Sequence, residues 1–169
     1  MVTGRGPYFQ RVNTLRTVYA DAASTTARSG CVRVESGSSD AGAPYDVLVV
    51  DDNHALAAVV AESLEHIDNE LRASYTTEPG EALAQLRQDR IDCLVTDYEM
   101  PELDGLALVD RDETDTPFVV FTQRRDEGVT RAIVDRGGAY LPKGAGREQY
   151  RRLATLVHEQ LGRDCGSKQ

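Results

Sequence analysis

The stretch Val47-Leu48-Val49-Val50-Asp51-Asp52-Asn53 decides the fold, because four consecutive apolar residues lead directly into two aspartates and an asparagine. A short apolar run without alternation is typical of a strand covered on both faces, as in a parallel sheet. Asn53 is a good helix N-cap, and apolar residues recur after it at helical spacing as far as Ile67. The stretch therefore predicts a buried strand, a polar strand end and a helix.

The same strand-and-helix unit recurs as far as Leu161. Further strands are predicted over 71–77, 91–96, 117–121 and 139–141. Between them, Pro79 opens a helix, residues 126–134 form another that stops at Gly137-Gly138, and an apolar stripe from Tyr150 to Leu161 marks the last. Five apolar strands alternating with helices predict an α/β fold, a parallel sheet with helices on both faces.

Composition excludes several classes of protein. The 169 residues carry a formal net charge of −9, which argues against a nucleic-acid-binding module. No apolar run approaches the roughly 20 residues of a membrane-spanning helix, so no membrane association is expected. The three cysteines are odd in number, far apart and without a C-x-x-C pair, which argues against a disulfide framework or a thiolate zinc site. We expect a protein of the reducing cytoplasm.

The charge divides the chain into an extension and a domain. Residues 1–44 hold five arginines against three acidic residues, and the segment 30–42 is rich in glycine and serine. We predict that residues 1–44 are a disordered N-terminal extension and linker, that residues 45–161 form the domain, and that residues 162–169 are a tail. No second domain is expected after the last helix.

Polar residues follow four of the predicted strands. Asp51 and Asp52 end the first strand, Asp97 the third and Thr122 the fourth, while Lys143 follows the fifth. Because functional groups in parallel sheets gather outside the carboxyl ends of the strands, these side chains are expected to meet. Crowded carboxylates require a cation, and hard oxygen ligands suit Mg²⁺. A hydroxyl and an ammonium beside them suit the oxygens of a phosphoryl group.

Each of these residues alone has a simpler interpretation. A strand-end aspartate commonly forms a loop or caps a helix, and a lone lysine is usually a solvated charge. The prediction of a magnesium and phosphoryl site depends on finding acids, a hydroxyl and a lysine together at four strand ends. The histidines, His54, His66 and His158, lie on predicted helices and are too dispersed to form a metal site; His66 and His158 are expected at the surface.

Residues 45–161 resemble the receiver domain of two-component response regulators, and the later strands are similar to receivers of haloarchaeal sensory proteins. The resemblance implies a flavodoxin-like, doubly wound five-stranded parallel sheet with strand order 2-1-3-4-5. An acidic chain with 17 arginines and two lysines fits the haloarchaeal likeness. The matching stretches are Val49-Val50-Asp51-Asp52-Asn53, Val95-Thr96-Asp97-Tyr98-Glu99-Met100-Pro101, Asp104-Gly105, Val119-Val120-Phe121-Thr122 and Tyr140-Leu141-Pro142-Lys143.

The resemblance also implies roles for individual residues. Asp97 would take a phosphoryl group from a phosphohistidine of a sensor histidine kinase, assisted by Thr122 and Lys143. Thr122 and Tyr140 would switch the surface formed by the fourth helix, fifth strand and fifth helix. The expected partners are that kinase, an unknown downstream protein and a phosphorylation-dependent second copy, with no direct nucleic acid. The magnesium ligands would be Asp51, Asp52, Asp97 and the backbone carbonyl of Glu99.

Three departures from the family pattern bear on the site. Gln123, Arg124 and Arg125 follow Thr122, where the family usually has a small residue first. Only eleven residues separate Gly105 from Pro117, which predicts a third helix of about two turns. The family commonly has a cis Lys-Pro bond, whereas Lys143 precedes Gly144 here, and a trans bond is expected.

Three alternatives to a switching receiver remain open. The chain could be a phosphorylation-independent adaptor with a receiver-like fold, or a receiver fragment of a larger hybrid sensor kinase. A Mg²⁺-dependent phosphatase with an aspartate nucleophile is disfavoured: Glu99 sits at the offset of its general acid, but the chain offers no cap over a substrate. In the preferred interpretation the protein is not an enzyme beyond catalysing its own phosphorylation and dephosphorylation.

Overall fold

The computed structural model describes residues 10–11, 43–88, 90–144 and 146–164. Strands and helices alternate along the domain, as the sequence predicts. The strands are β1 (Gln10–Arg11), β2 (Tyr45–Val50), β3 (Leu71–Thr76), β4 (Cys93–Thr96), β5 (Phe118–Thr122) and β6 (Ala139–Pro142). The helices are α1 (His54–Ile67), α2 (Pro79–Gln88), α3 (Gly105–Arg111), α4 (Glu127–Asp135) and α5 (Arg147–Asp164).

The domain strands form one parallel sheet. Its order is β3-β2-β4-β5-β6, which is 2-1-3-4-5 when these five strands are counted along the chain, as predicted. The strand β3 lies on one side of β2, and the later strands β4, β5 and β6 follow on its other side. The groove outside the carboxyl ends of β2 and β4 is therefore the place where a site is expected in such folds.

The apolar run of β2 is buried on both faces of the sheet. Val47 and Val49 join a cluster with apolar residues of α1 and α5. Leu48 and Val50 join a second cluster with residues of α2, α3 and α4. Two helices thus cover one face and three cover the other, and this accounts for a strand without alternating polarity. No helix in the described part of the chain is both long enough and apolar enough to cross a membrane.

The start of α1 follows the predicted cap. The side chain of Asn53 accepts a hydrogen bond from the Leu56 amide, and α1 begins one residue later. Asp126 caps α4 in the same way, so this helix starts at Glu127 rather than at the predicted Asp126. The helix α3 has seven residues, which confirms the short third helix. No peptide bond among the described residues is cis.

The predicted strand over 91–96 begins two residues later, at Cys93. The reason lies in Asp92, whose carboxylate accepts a hydrogen bond from the Asp46 amide at 2.8 Å. The Asp46 amide therefore bonds to a side chain and not to a backbone carbonyl of the neighbouring strand. Cys93 itself is fully buried, as expected for a core residue, and burial raises the pKa of its thiol to about 12. This thiol is therefore protonated at neutral pH.

One element of the predicted extension lies within the described residues. Gln10–Arg11 pairs antiparallel with Tyr75 and Ser74 at the edge of β3, and this short strand was not predicted. Two residues carry no apolar periodicity, and their pairing depends on the open edge that β3 presents. Residues 1–9 and 12–42 of the predicted extension lie outside the described residues, as do residues 165–169. The last helix continues to Asp164, so residues 162–164 are helical and not part of a tail as predicted.

Substituting Gly138 by alanine is expected to destabilise the fold by about 1–3 kcal/mol, because overpacking forces a core side chain to move. A Cβ atom at this position would lie 2.2 Å from Cε2 of Phe118, a ring that is 4% exposed. The matched control is Gly80→Ala near the start of α2, where a Cβ meets nothing within 4 Å. Urea denaturation of both variants checks this; equal midpoints would contradict it.

Candidate functional site

The parallel register brings the predicted polar residues to one edge of the sheet. Val50 of β2 is paired with Thr96 of β4, so the residues that follow them, Asp51 and Asp97, leave the sheet side by side. On the other side of β4, the amide of Lys143 donates a hydrogen bond to the carbonyl of Thr122 at 2.7 Å. The strand-end residues predicted from the sequence therefore converge.

Three carboxylates and one ammonium form the centre of the site. Carboxylate oxygens of Asp51, Asp52 and Asp97 lie within 4.8 Å of one another. The Nζ atom of Lys143 lies 2.6 Å from Oδ2 of Asp51 and 2.5 Å from Oδ2 of Asp97. The side chains of Lys143, Asp51 and Asp97 are 8%, 5% and 11% exposed. Lys143 is thus a buried cation shared by two of the three acids.

Burial and hydrogen bonding act in opposite directions on these groups. Burial raises the pKa of Asp51 above its ordinary value, and its hydrogen bonds to Lys143 and the Asn53 amide offset only part of this rise. Burial also disfavours the charged form of Lys143, but hydrogen bonds to Asp51 and Asp97 outweigh it and raise the pKa of the ammonium. Lys143 therefore remains positively charged at neutral pH.

The remaining carboxylate oxygens are oriented by backbone amides. Oδ1 of Asp97 accepts a hydrogen bond from the Tyr98 amide at 2.6 Å, and Oδ1 of Asp51 accepts one from the Asn53 amide at 2.9 Å. Among the described residues, the exposed carboxylate of Asp52 has no hydrogen bond or ion pair. Hard oxygen donors, one of them open to solvent, fit the octahedral, water-rich coordination of Mg²⁺. The role of the Glu99 carbonyl as a further ligand stays a prediction.

The two predicted switch residues are joined through the backbone of Arg124. The hydroxyl of the fully buried Thr122 accepts a hydrogen bond from the Arg124 amide at 3.2 Å. The hydroxyl of Tyr140, whose ring is half-buried, donates to the Arg124 carbonyl at 2.8 Å. A displacement of Thr122 would therefore reach Tyr140 through the backbone of a single residue, Arg124.

An ion pair that the sequence analysis missed spans the loops after β4 and β5. Nη1 of Arg124 lies 2.8 Å from Oε1 of Glu99, and the guanidinium lies 5.9 Å from the centre of the Tyr98 ring. In the sequence, Glu99 attracted interest for its carbonyl and as the general acid of a phosphatase, and Arg124 only as a large residue after Thr122. The ion pair could have been predicted from the opposite charges in the loops that follow β4 and β5, which are neighbours in the sheet. This bridge connects the loop of Asp97 with the loop of Thr122.

Comparison with known proteins matches most of the domain to one family. The family model of the response regulator receiver domain matches residues 47–154. The response regulator MprA of Mycolicibacterium vanbaalenii is 35% identical over 104 residues, which cover 59% of this chain and 44% of that protein. The cyclic di-GMP phosphodiesterase response regulator RpfG of Xanthomonas campestris is 29% identical over 107 residues, which cover 60% of this chain and 28% of that protein.

Solved structures show the same fold. A response regulator receiver protein from Pseudomonas putida superposes with a TM-score of 0.61 at 25% identity, covering 70% of this chain and 98% of that one. A CheY-like receiver domain protein from Methanospirillum hungatei gives 0.61 at 17% identity, covering 72% and 99%. The chain thus spans nearly all of these receiver structures but less than half of either curated relative. Because the family model covers more than half of the sequence, the chain belongs to the receiver-domain family of two-component response regulators.

Proposed function

We propose that this protein accepts a phosphoryl group on Asp97 from a phosphohistidine of a sensor histidine kinase. The observation that carries the proposal is the Lys143 ammonium, buried between Asp51 and Asp97 at 2.6 and 2.5 Å. In the transfer, a carboxylate oxygen of Asp97 forms a bond to phosphorus. The bond from phosphorus to the imidazole nitrogen breaks, and the nitrogen keeps the electron pair. The product is an acyl phosphate.

Each residue of the site has a distinct part in this proposal. Asp51, Asp52 and Asp97 would hold Mg²⁺, which when bound supplies positive charge to the oxygens of the phosphoryl group. Lys143 is already charged and positioned, so its ammonium can pair with a phosphoryl oxygen without reorganisation. The Tyr98 amide holds the Asp97 carboxylate in place. The hydroxyl of Thr122 is a donor for another phosphoryl oxygen.

Phosphorylation would be transmitted through Thr122, Arg124 and Tyr140. If the Thr122 hydroxyl turned toward the phosphoryl group, it would lose the Arg124 amide, and the Tyr140 hydroxyl is bonded to the same residue. Tyr140 also lines a surface groove with Arg131 and Val134 of α4. We therefore assign partner binding to the surface of α4, β6 and α5, the counterpart of the switching surface expected from the sequence. A downstream protein or a second copy would bind there.

The experiment that tests the proposal is intact mass spectrometry of the full chain after incubation with acetyl phosphate, with Mg²⁺ or with EDTA. We expect one hydroxylamine-labile phosphoryl group, formed only with Mg²⁺. Borohydride reduction followed by peptide mapping should place it on Asp97. Failure to form an adduct, at short times and with Mg²⁺ binding demonstrated, would contradict phosphoacceptor function and favour the phosphorylation-independent adaptor.

The ion pair of Arg124 and Glu99 is expected to slow loss of the phosphoryl group, because it joins the loop of Asp97 to the loop of Thr122 and would hinder the approach of water there. In Arg124→Ala we expect the acyl phosphate to hydrolyse several times faster. The matched control is Arg125→Ala, since Glu99 pairs with Arg124 and not with this neighbouring exposed arginine, whose loss should leave the lifetime unchanged. Decay of the adduct after removal of the donor measures both, and equal lifetimes would exclude a shielding role.

A further inference from the structure

A second group of metal-ligating side chains lies at the opposite end of the sheet from Asp97. Asp68 and Glu70 precede β3, and His158 lies in the middle of α5. One ligand atom from each of these side chains lies within 4.8 Å of the other two. Within the described residues, the only other group that meets this criterion is Asp51, Asp52 and Asp97. This group was not predicted from the sequence, where the three histidines were compared only with one another.

Asp68 and His158 are held in position by the surrounding structure. Asp68 ends α1, where its amide donates to the Leu64 carbonyl at 3.0 Å. Its Oδ2 atom lies 2.7 Å from Nε2 of His158, and its Oδ1 accepts a hydrogen bond from the Glu70 amide at 2.9 Å. The ring of Tyr45 packs edge-on against the imidazole, with centroids 6.2 Å apart. Both ligands are half-buried and oriented.

Glu70 distinguishes this group from a simple ion pair. A structural tie between α5 and the loop after α1 requires only Asp68 and His158. The Glu70 carboxylate nevertheless lies beside them, and among the described residues it accepts no hydrogen bond and forms no ion pair. Its backbone is fixed, since its carbonyl accepts the Tyr45 amide at 2.8 Å. Two carboxylates face one imidazole, so the group carries an uncompensated negative charge that a cation would neutralise.

We propose that Asp68, Glu70 and His158 bind a divalent transition-metal ion, Zn²⁺ by preference. One imidazole nitrogen with two carboxylate oxygens suits Zn²⁺, whereas Mg²⁺ prefers oxygen ligands alone. Three protein ligands leave a fourth tetrahedral position for water. Zinc bonds of about 2.0–2.2 Å place ligand atoms roughly 3.3 Å apart, and the exposed Glu70 side chain can close this distance by rotation.

The ion would connect parts of the chain that are far apart in sequence. His158 and Asp68 are 90 residues apart. Binding would fasten α5 to the end of α1 and the start of β3, at the sheet edge remote from Asp97. The site is chemically separate from the acidic centre, because it contains a nitrogen ligand, and does not depend on phosphorylation.

The test is isothermal titration of the full chain with ZnCl₂ in the presence of millimolar Mg²⁺, which occupies the all-oxygen site. Cys31 and Cys165 are replaced by serine in every sample, so that their thiols cannot bind zinc. The variants are His158→Gln and Glu70→Gln. The matched control is His66→Gln, which removes an exposed imidazole two residues before Asp68 but outside the group.

We expect one zinc per chain, with affinity reduced at least about tenfold in His158→Gln and in Glu70→Gln. The His66→Gln control should bind as the parent does. Without metal, Glu70→Gln should melt at the parental temperature, since its carboxylate supports no other contact. Added zinc should raise the melting temperature of the parent but not of His158→Gln. Equal affinity in all four proteins, or an equal loss in His66→Gln, would overturn the proposal and leave Asp68 and His158 as a structural ion pair.

Discussion

Replacing Asp97 by asparagine is expected to abolish phosphorylation of the protein. The amide has nearly the shape of the carboxylate but no nucleophilic oxygen, and losses of at least about 10⁴-fold are typical when a nucleophile is removed. The site should otherwise persist, because Lys143 keeps its 2.6 Å hydrogen bond to Asp51. Intact mass spectrometry with acetyl phosphate and Mg²⁺ measures the adduct.

The control for this variant is Asp104→Asn in the same loop. Asp104 caps α3 by accepting a hydrogen bond from the Ala107 amide at 2.8 Å, and asparagine can accept the same bond. We expect Asp104→Asn to be phosphorylated as the parent is. An undiminished adduct in Asp97→Asn would show that Asp51 or Asp52 is the acceptor and would refute the assignment of Asp97.

Replacing Lys143 by methionine is expected to lower the free energy of unfolding by about 3–5 kcal/mol in EDTA at neutral pH. Removing one partner of a buried ion pair leaves uncompensated charge, and here two carboxylates lose their shared ammonium. Added Mg²⁺ should recover part of the loss by neutralising the same carboxylates. Urea denaturation with EDTA and with Mg²⁺ measures both effects.

The stability deficit of Lys143→Met should depend on pH. Burial raises the folded-state pKa of Asp51 above its unfolded value, so the folded protein takes up protons more readily as the pH falls. The deficit should be largest at neutral pH and shrink as the pH approaches that raised pKa. Arg147→Met, which removes an exposed cation at the start of α5, serves as the control and should cost little at any pH. A deficit independent of pH would show that lost packing, and not charge, destabilises the variant.

Most of the fold could be predicted from local patterns. The unbroken apolar run of β2 indicated burial on both faces, and the capping side chain of Asn53 marked the start of α1. The predictions of strands were wrong where a contact with a residue distant in sequence decides the structure. The carboxylate of Asp92 takes the Asp46 amide and delays the start of β4, and Gln10–Arg11 pairs with an edge of β3 that only the assembled sheet presents.

The membership of the acidic site could also be predicted, but its internal pairing could not. The carboxyl ends of parallel strands lie at the same edge of the sheet. The side chains of Asp51, Asp97, Thr122 and Lys143 were therefore expected to lie close together. Nothing in the sequence specifies that Lys143 contacts two aspartates at once. The partner of a long, flexible side chain is selected by distance and burial, and neither is defined until the sheet has formed.

By itself, the sequence determined the order of strands and helices, the starts of α1 and α2 and the chemical character of one sheet edge. Each of these depends on neighbouring residues or on a general rule of parallel sheets. The tertiary structure alone decided which charges pair. It brought Glu99 to Arg124 across 25 positions and Asp68 to His158 across 90. The physical reason is that ionic contacts act over a few ångströms in space, whatever the separation of the residues along the chain.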